Sequence, residues 1–201
     1  MRNTTLRTTG VALRAMLIFT LVLGVGYTAL VTGIGQLALP WQANGSIVQN
    51  SEGEPVGSAI IGQSATEAAG IPLEEYFQSR PSAAGGGYDG GASSGSNLGP
   101  ENEDLVAAIE QRRAASAEFE GVDGDAIPSD ALTASASGLD PHISPAYALL
   151  QVERVAAARG LSEAAVRELV ESRIQARDLG FLGEPRVNVL ELNLALDALQ
   201  G

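Results

Sequence analysis

Residues 15–39 read AMLIFTLVLGVGYTALVTGIGQLAL, 25 positions without one charged side chain. At 1.5 Å rise per residue, a helix of that length reaches roughly 37 Å, more than the ~30 Å hydrocarbon core of a bilayer. A cleaved signal peptide is the competing reading, but its apolar region is normally about 7–15 residues and ends at a small-x-small site. Here the run is longer, and Pro40 follows Ala38-Leu39 where cleavage would fall. The stretch is read as a retained transmembrane helix, with Trp41 at the place of an interfacial aromatic.

Charge orients that helix. Arg2, Arg7 and Arg14 precede it, the next charge of any sign is Glu52, and the next positive charge is Arg80. The bias predicts a cytoplasmic N-terminus (1–14), a span (15–39) and an extracytoplasmic soluble domain (40–201). All 24 acids lie in the last part, against nine arginines, which leaves it near −15 in about 160 residues. Such a surface repels nucleic acid and anionic lipid and favours cations or basic partner surfaces, or simply keeps the domain soluble. Gly24, Thr28 and Gly33 give the helix small-residue positions where a second helix can approach, although glycine is common in membrane spans generally.

Composition also removes chemistry. The chain has no cysteine, so disulfides, thiolate metal sites and cysteine nucleophiles are excluded, without fixing the compartment. Every basic residue is arginine, which excludes a lysine-dependent phosphate loop.

Within the domain, Ser46–Gln49 and Val56–Ile61 flank a turn-rich stretch and read as a β-hairpin. Residues 85–100, GGGYDGGASSGSNLGP, form a glycine- and serine-rich loop, either a flexible insertion or a binding loop. Pro100 is expected to open a helix through NEDLVAAIEQRRAASAEF, and Ile127 to Gly138 a strand followed by a loop. Ser144 with Pro145 should start a helix running to Gly160, and Ser162 another that stops at Gly180. Asn188 and Glu191 make a capping-box-like start for a last helix. The fold class is α+β: one N-terminal transmembrane helix followed by a single domain with helices dominant in its second half.

Three constellations bear on chemistry. Asp140, His142 (the one histidine) and Ser144 lie in GLDPHISP, but Pro141 and Pro145 divide them and no G-x-S-x-G elbow is present, so a packed or interface histidine is expected rather than a triad. SGSNLGP (94–100) looks like an anion-cradling loop before a helix, yet lacks the partners of a nucleotide site and reads better as a structural turn. Paired acids at Glu74-Glu75 and Asp123/Asp125 fall short of a calcium loop, because the closing glutamate is missing. No catalytic, cofactor-binding or metal-binding residue is assigned.

Several segments together resemble the KdpC family, which belongs to the Kdp-type potassium-transporting P-type ATPase. They are VGSAIIGQ (56–63), YFQSRPSA (76–83), SGSNLGP (94–100), IPSDALTASASGLDPHISPAYALLQVERVAAARG (127–160) and GEPRVNVLELNLALD (183–197). Gln78-Ser79 stand where the family pattern leads one to expect a His-Gly-like pair. The resemblance implies a non-catalytic accessory subunit in a bacterial or archaeal-type plasma membrane. Its implied partners are a channel-like potassium-translocating subunit, a P-type ATPase subunit and a small membrane peptide, with no nucleic acid. It also implies a catalytic chaperone that raises the pump subunit's affinity for ATP, with ATP and potassium as the complex's ligands. Motif residues expected at interfaces are Arg80, Pro81, Ser82, Ser96, Asn97, Gly99, Asp140, Pro141, His142, Ser144, Arg186, Asn188, Glu191 and Asn193. An outward domain conflicts with direct ATP contact. The charge suggests a second role, concentrating potassium at the channel-like subunit's mouth, and a membrane-tethered solute-binding or scaffold module is a remoter one.

Overall fold

The computed structural model describes residues 2–68 and 70–199. Met1 and Gln200–Gly201, the outer ends of the first and last segments assigned above, lie outside the described residues. The chain divides into two units, residues 1–47 and 48–201.

In the first unit, α1 (Arg2–Phe19), a π-helical stretch (Thr20–Tyr27) and α2 (Thr28–Ala38) follow one another. Thr4 to Ala38 is long and apolar enough to cross a membrane, and its side chains cover no core of their own. The helix thus starts well before the uncharged run. The wide π turns, which no periodicity argument foresaw, contain Gly24 and Gly26, and Thr28 Oγ1 donates to Leu23 O (3.3 Å), five residues back. The helix stops at Ala38 because Leu39, preceding a proline, leaves the α region (φ −136°, ψ 54°). Pro40 then opens α3 (Pro40–Ala43) at its first position. Asn44 Nδ2 donates to Gln36 Oε1 (3.1 Å), and the Trp41 indole donates to Ile47 O (3.0 Å), which fixes this turn.

The second unit begins at the two-stranded sheet of β1 (Ile47–Gln49) and β2 (Pro55–Ser58), the expected hairpin with shorter strands. The described residues of 59–102 then run without a helix or a named strand, bearing only isolated bridges. α4 (Glu103–Glu120) is N-capped by Asn102, whose side chain accepts from Asp104 N and Leu105 N, so Pro100 precedes the helix rather than opening it. Gly121 closes it at φ 68°. Where a strand was expected after Ile127, the chain makes the helical turn α5 (Ser129–Leu132), stabilised by Thr133 Oγ1 donating to Ser129 O (2.8 Å).

β3 (His142–Ile143) pairs antiparallel with β4 (Val187–Asn188), His142 opposite Asn188. Ser144 caps α6 (Pro145–Leu150) as foreseen, by accepting from Tyr147 N. The single helix expected to Gly160 is instead interrupted at Gln151 and continues as α7 (Val152–Arg159). Ser162 caps α8 (Glu163–Ser172), which ends eight residues before the expected stop. From there the backbone turns into a hairpin, with Gln175 N to Arg186 O at 2.8 Å and Asp178 N to Leu182 O at 2.9 Å. Gly180 (φ 83°) is therefore a hairpin turn, not a helix cap. Asn188 caps α9 (Val189–Ala198), accepting from Glu191 N.

The core is aliphatic, as few aromatics dictate. Val152, Val155, Val166, Val170, Leu192 and Leu196 are fully buried between α6–α9, with Phe77 laid against them from the irregular segment. At about 25 cal/mol per Å², each such side chain contributes roughly 1.5–3 kcal/mol.

Gly138 shows how tightly the irregular segment is seated. Its φ is 68°, and a Cβ would stand 2.6 Å from Ser94 O and 2.7 Å from Ala84 N. Gly53 has a similar φ of 83° with open space around it. Gly138→Ala is expected to cost roughly 2–4 kcal/mol, against about 1–2 for Gly53→Ala. Denaturant unfolding of the two variants checks this ordering.

Candidate functional site

Three of the motif-bearing segments (76–83, 127–160 and 183–197) meet at an open cleft of about 440 Å³ lined by Arg80, Asp130, Asp140, His142, Ser144, Glu184 and Arg186, among others. Arg80 reaches it from the irregular segment, Asp130 from α5, His142 from β3, and Arg186 from the residue before β4.

Asp140 is the hub. One carboxylate oxygen accepts from Arg80 Nη1 at 2.9 Å; the other accepts from His142 N at 3.0 Å and lies 3.5 Å from His142 Nδ1. Burial alone would raise the carboxyl's pKa. The His142 hydrogen bonds and the Arg80 guanidinium outweigh it and hold Asp140 below its usual value. Arg80 Nη2 also donates to Thr133 O (3.3 Å). Behind it the Tyr88 hydroxyl donates to Arg80 O (2.9 Å); burial, with the Asp140 charge adding to it, pushes this phenol up to about 12, so it stays neutral. Gly62 makes this packing possible, because a Cβ there would lie 2.5 Å from the Tyr88 ring and 2.6 Å from Asp140 O.

Ser144 belongs to a different pair. Its hydroxyl donates to Asp130 Oδ1 (3.0 Å), and its backbone N–H donates to Asp130 Oδ2 (2.7 Å). Serine, histidine and Asp140 therefore do not form a relay. Among the described residues no cluster of three or more histidine or carboxylate side chains is placed to hold a metal ion. Asp123 instead caps a short 3₁₀ turn, and the carbonyls of Glu74 and Glu75 accept from Arg154 and Arg159.

Other motif residues are spent on the fold. Ser82 donates to Gly138 O (2.6 Å) and accepts from Tyr88 N (2.8 Å), while Pro141 is buried with its carbonyl accepting from Val189 N (3.0 Å). Asn188, 3% exposed, donates to Ala59 O at 2.8 Å. Asn193 grips Phe77 with both halves of its amide, at 2.9 and 3.0 Å. Pro81 lines a separate hollow beside α4, and Glu191 a groove with Arg173. Ser96, Asn97 and Gly99 are exposed and are not among the residues lining the cleft; Ser94 N, one turn earlier, docks on Ser137 O (3.0 Å). In the first unit, an added Cβ at Gly33 meets nothing within 4 Å, and one at Gly24 meets only Thr20.

Sequence reasoning missed a second polar cluster. Gln151, fully buried, accepts from Gln78 N (2.6 Å) and from Arg154 Nη2 (2.9 Å), and donates to Gln78 O (3.2 Å). Arg154 pairs with Glu120 at 2.9 Å and stacks on Phe119. Burial raises the Glu120 pKa against that arginine's opposing pull. The signal was available: Gln151 falls between Tyr147 and Val155 at four-residue spacing, a polar residue on an apolar stripe.

These side chains, drawn from distant segments and bonded to one another, define a class: an α+β domain preceded by a membrane-length helix, whose sequence motifs hold the fold together. Comparison with known proteins makes the assignment specific. The family model described as "K+-transporting ATPase, c chain" (KdpC) matches residues 9–198. A potassium-transporting ATPase KdpC subunit of Caulobacter vibrioides is 54% identical over 188 residues, covering 93% of this chain and 91% of that protein. One from Kineococcus radiotolerans is 53% identical (95% and 93% covered), and one from Mycobacterium tuberculosis 51% (94% and 96%). The chain belongs to the KdpC family, the c-chain subunits of potassium-transporting ATPases.

A carboxyl held below its ordinary value stabilises the fold above the unfolded pKa, and that stability disappears as pH falls through the folded pKa. Asp140→Asn should therefore lose about 1 kcal/mol at pH 7, a figure kept small because the pair is part-exposed. The deficit should begin to shrink as pH falls below the ordinary aspartate range, about 4, and vanish only below the lower folded pKa, where the wild-type carboxyl is itself protonated. Urea unfolding at pH 7 and at successively lower pH through the acid range measures both arms.

Proposed function

We propose that this chain is a non-catalytic accessory subunit of an ATP-driven potassium importer, with its α+β domain outside the cytoplasm. The observation that carries this reading is the occupation of the motif side chains. Arg80, Asp140, Ser144, Asn188 and Asn193 are bonded within the domain, which suits a shaped surface for protein contacts better than a reaction centre. The relatives' names as potassium-transporting ATPase subunits support the assembly. The arginines before the helix, with no lysine or arginine after it until Arg80, support the outward orientation. The same reading gives the partners as the channel-like subunit, the P-type ATPase subunit and a small membrane peptide.

An outward domain does not meet cytoplasmic ATP. On this account the chain raises the pump subunit's ATP affinity indirectly, by holding the assembly in its ATP-competent arrangement through the membrane helix or the channel-like subunit. A second reading rests on the charge of about −15, which raises local potassium near the channel mouth and is screened beyond ~10 Å at 0.1 M salt.

One reconstitution separates the two. The complex is assembled with and without this chain, and ATPase activity is titrated with ATP and with potassium at low and high ionic strength. The accessory role predicts a several-fold higher ATP requirement without the chain at either salt; an unchanged ATP requirement overturns it. Only the potassium-concentrating role predicts that neutralising surface acids weakens apparent potassium affinity at low salt alone.

A further inference from the structure

A hollow of about 230 Å³, separate from the cleft at Asp140, opens between α4 and the chain from Pro72 to Pro81. Arg112, Ala115, Ser116, Phe119 and Glu120 line one side, spaced three and four apart so that they form one stripe along about two turns of the helix. The inner end holds two polar groups that the fold does not use. Tyr147 is 5% exposed; its backbone N–H donates to Ser144 Oγ, but its hydroxyl is bonded to nothing among the described residues. Burial, with the Glu120 charge adding to it, keeps this phenol protonated. Glu120 is 8% exposed, and one carboxylate oxygen accepts from Arg154 Nε while the other has no partner among the described residues. At the opposite end of the stripe, Arg112 donates from Nη1 to Leu132 O (2.9 Å) and makes no ion pair among the described residues, although the domain is strongly acidic. Buried polar groups without partners cost free energy, which an occupant bonding to them would relieve.

We propose that this hollow binds a small hydroxy carboxylate, with its carboxylate on Arg112 and its hydroxyl between Tyr147 and Glu120. The unused groups select that chemistry. The phenol has a proton to give and the carboxylate oxygen has lone pairs to fill. A hydroxyl answers both because it donates and accepts at once, whereas an ammonium only donates. The guanidinium without an ion pair selects an anion, and a carboxylate is the planar group that matches its fork. Between the two ends, Pro72, Ala115, Phe119 and Ala131 offer apolar surface, which suits methylene groups rather than a run of hydroxyls. At ~30 Å³ for each water-sized group, the hollow holds about seven or eight of them, the size of 5-hydroxypentanoate. The site does not depend on the accessory-subunit reading.

A ligand-observed NMR titration of the full-length chain in nanodiscs tests the proposal, with empty nanodiscs subtracted. 5-Hydroxypentanoate is the probe, and pentanoate, which lacks the hydroxyl, is the control. Saturable binding of the probe is expected, at least about tenfold tighter than that of pentanoate, because a hydrogen bond to a charged group is lost with the hydroxyl. Tyr147→Phe should leave the melting temperature unchanged, since the hydroxyl it removes is bonded to nothing in the fold. It should weaken the probe about tenfold and leave pentanoate as it was, a hydroxyl-specific loss that a merely structural role would not produce. Arg112→Gln should weaken both compounds alike. Absence of saturable probe binding overturns the proposal and leaves the hollow to water. Pentanoate binding as tightly as the probe, or Tyr147→Phe binding the probe as the unaltered chain does, overturns it as well.

Discussion

Backbone amides and carbonyls buried without a partner cost about 1–3 kcal/mol each, and the described residues of 59–102 have neither helix nor sheet ladder to satisfy them. The domain meets that constraint with side chains from its helices and turns. Asn193 takes both backbone groups of Phe77, Gln151 both groups of Gln78, and Asn188 the carbonyl of Ala59. Arg154 donates to Tyr76 O (3.1 Å), and Arg159 to Glu75 O (2.8 Å). An amide side chain suits this task because it offers a donor and an acceptor at the spacing of one residue's N–H and C=O.

The same constraint explains why polar residues sit where the core should be apolar. Arg154 and Glu120 are both largely buried, a pairing that by itself stabilises little because desolvation offsets the attraction. Their value is positional: Arg154 joins α4, α7 and the chain from Glu74 to Tyr76 in one network. Arg80 and Asp140 do likewise for the irregular segment, the turn after α5 and the start of β3. Besides these cross-ties, the glycine-rich stretch touches the domain through Ser94 and Gly95.

Much of this was legible in the residues, and the failures follow a pattern. The hairpin, the caps at Ser144, Ser162 and Asn188, and the membrane-length helix came from local chemistry acting over three or four positions. The misreadings arose where a distant partner decided the outcome. The α6–α7 break at Gln151 accompanies its inward amide, which holds Gln78 73 residues away in sequence. α8 ends at Ser172 because Gln175 pairs with Arg186, which no helical periodicity reveals. At the site, the contact of Arg80 with Asp140 spans 60 residues, so the sequence showed both side chains and not their pairing. Tyr88, in the irregular segment, and Asp130, on the single helical turn α5, were missed because one isolated polar residue carries no spacing signal.

The central claim is that amide and guanidinium side chains fix the irregular segment as firmly as a sheet would. Native-state hydrogen exchange of the Phe77 and Gln78 amides tests it directly. The account predicts protection comparable to that of Val155 and Leu192 in the helices, because all four open only with the domain core. Exchange of Phe77 and Gln78 at free-peptide rates, with those helices still protected, would contradict it.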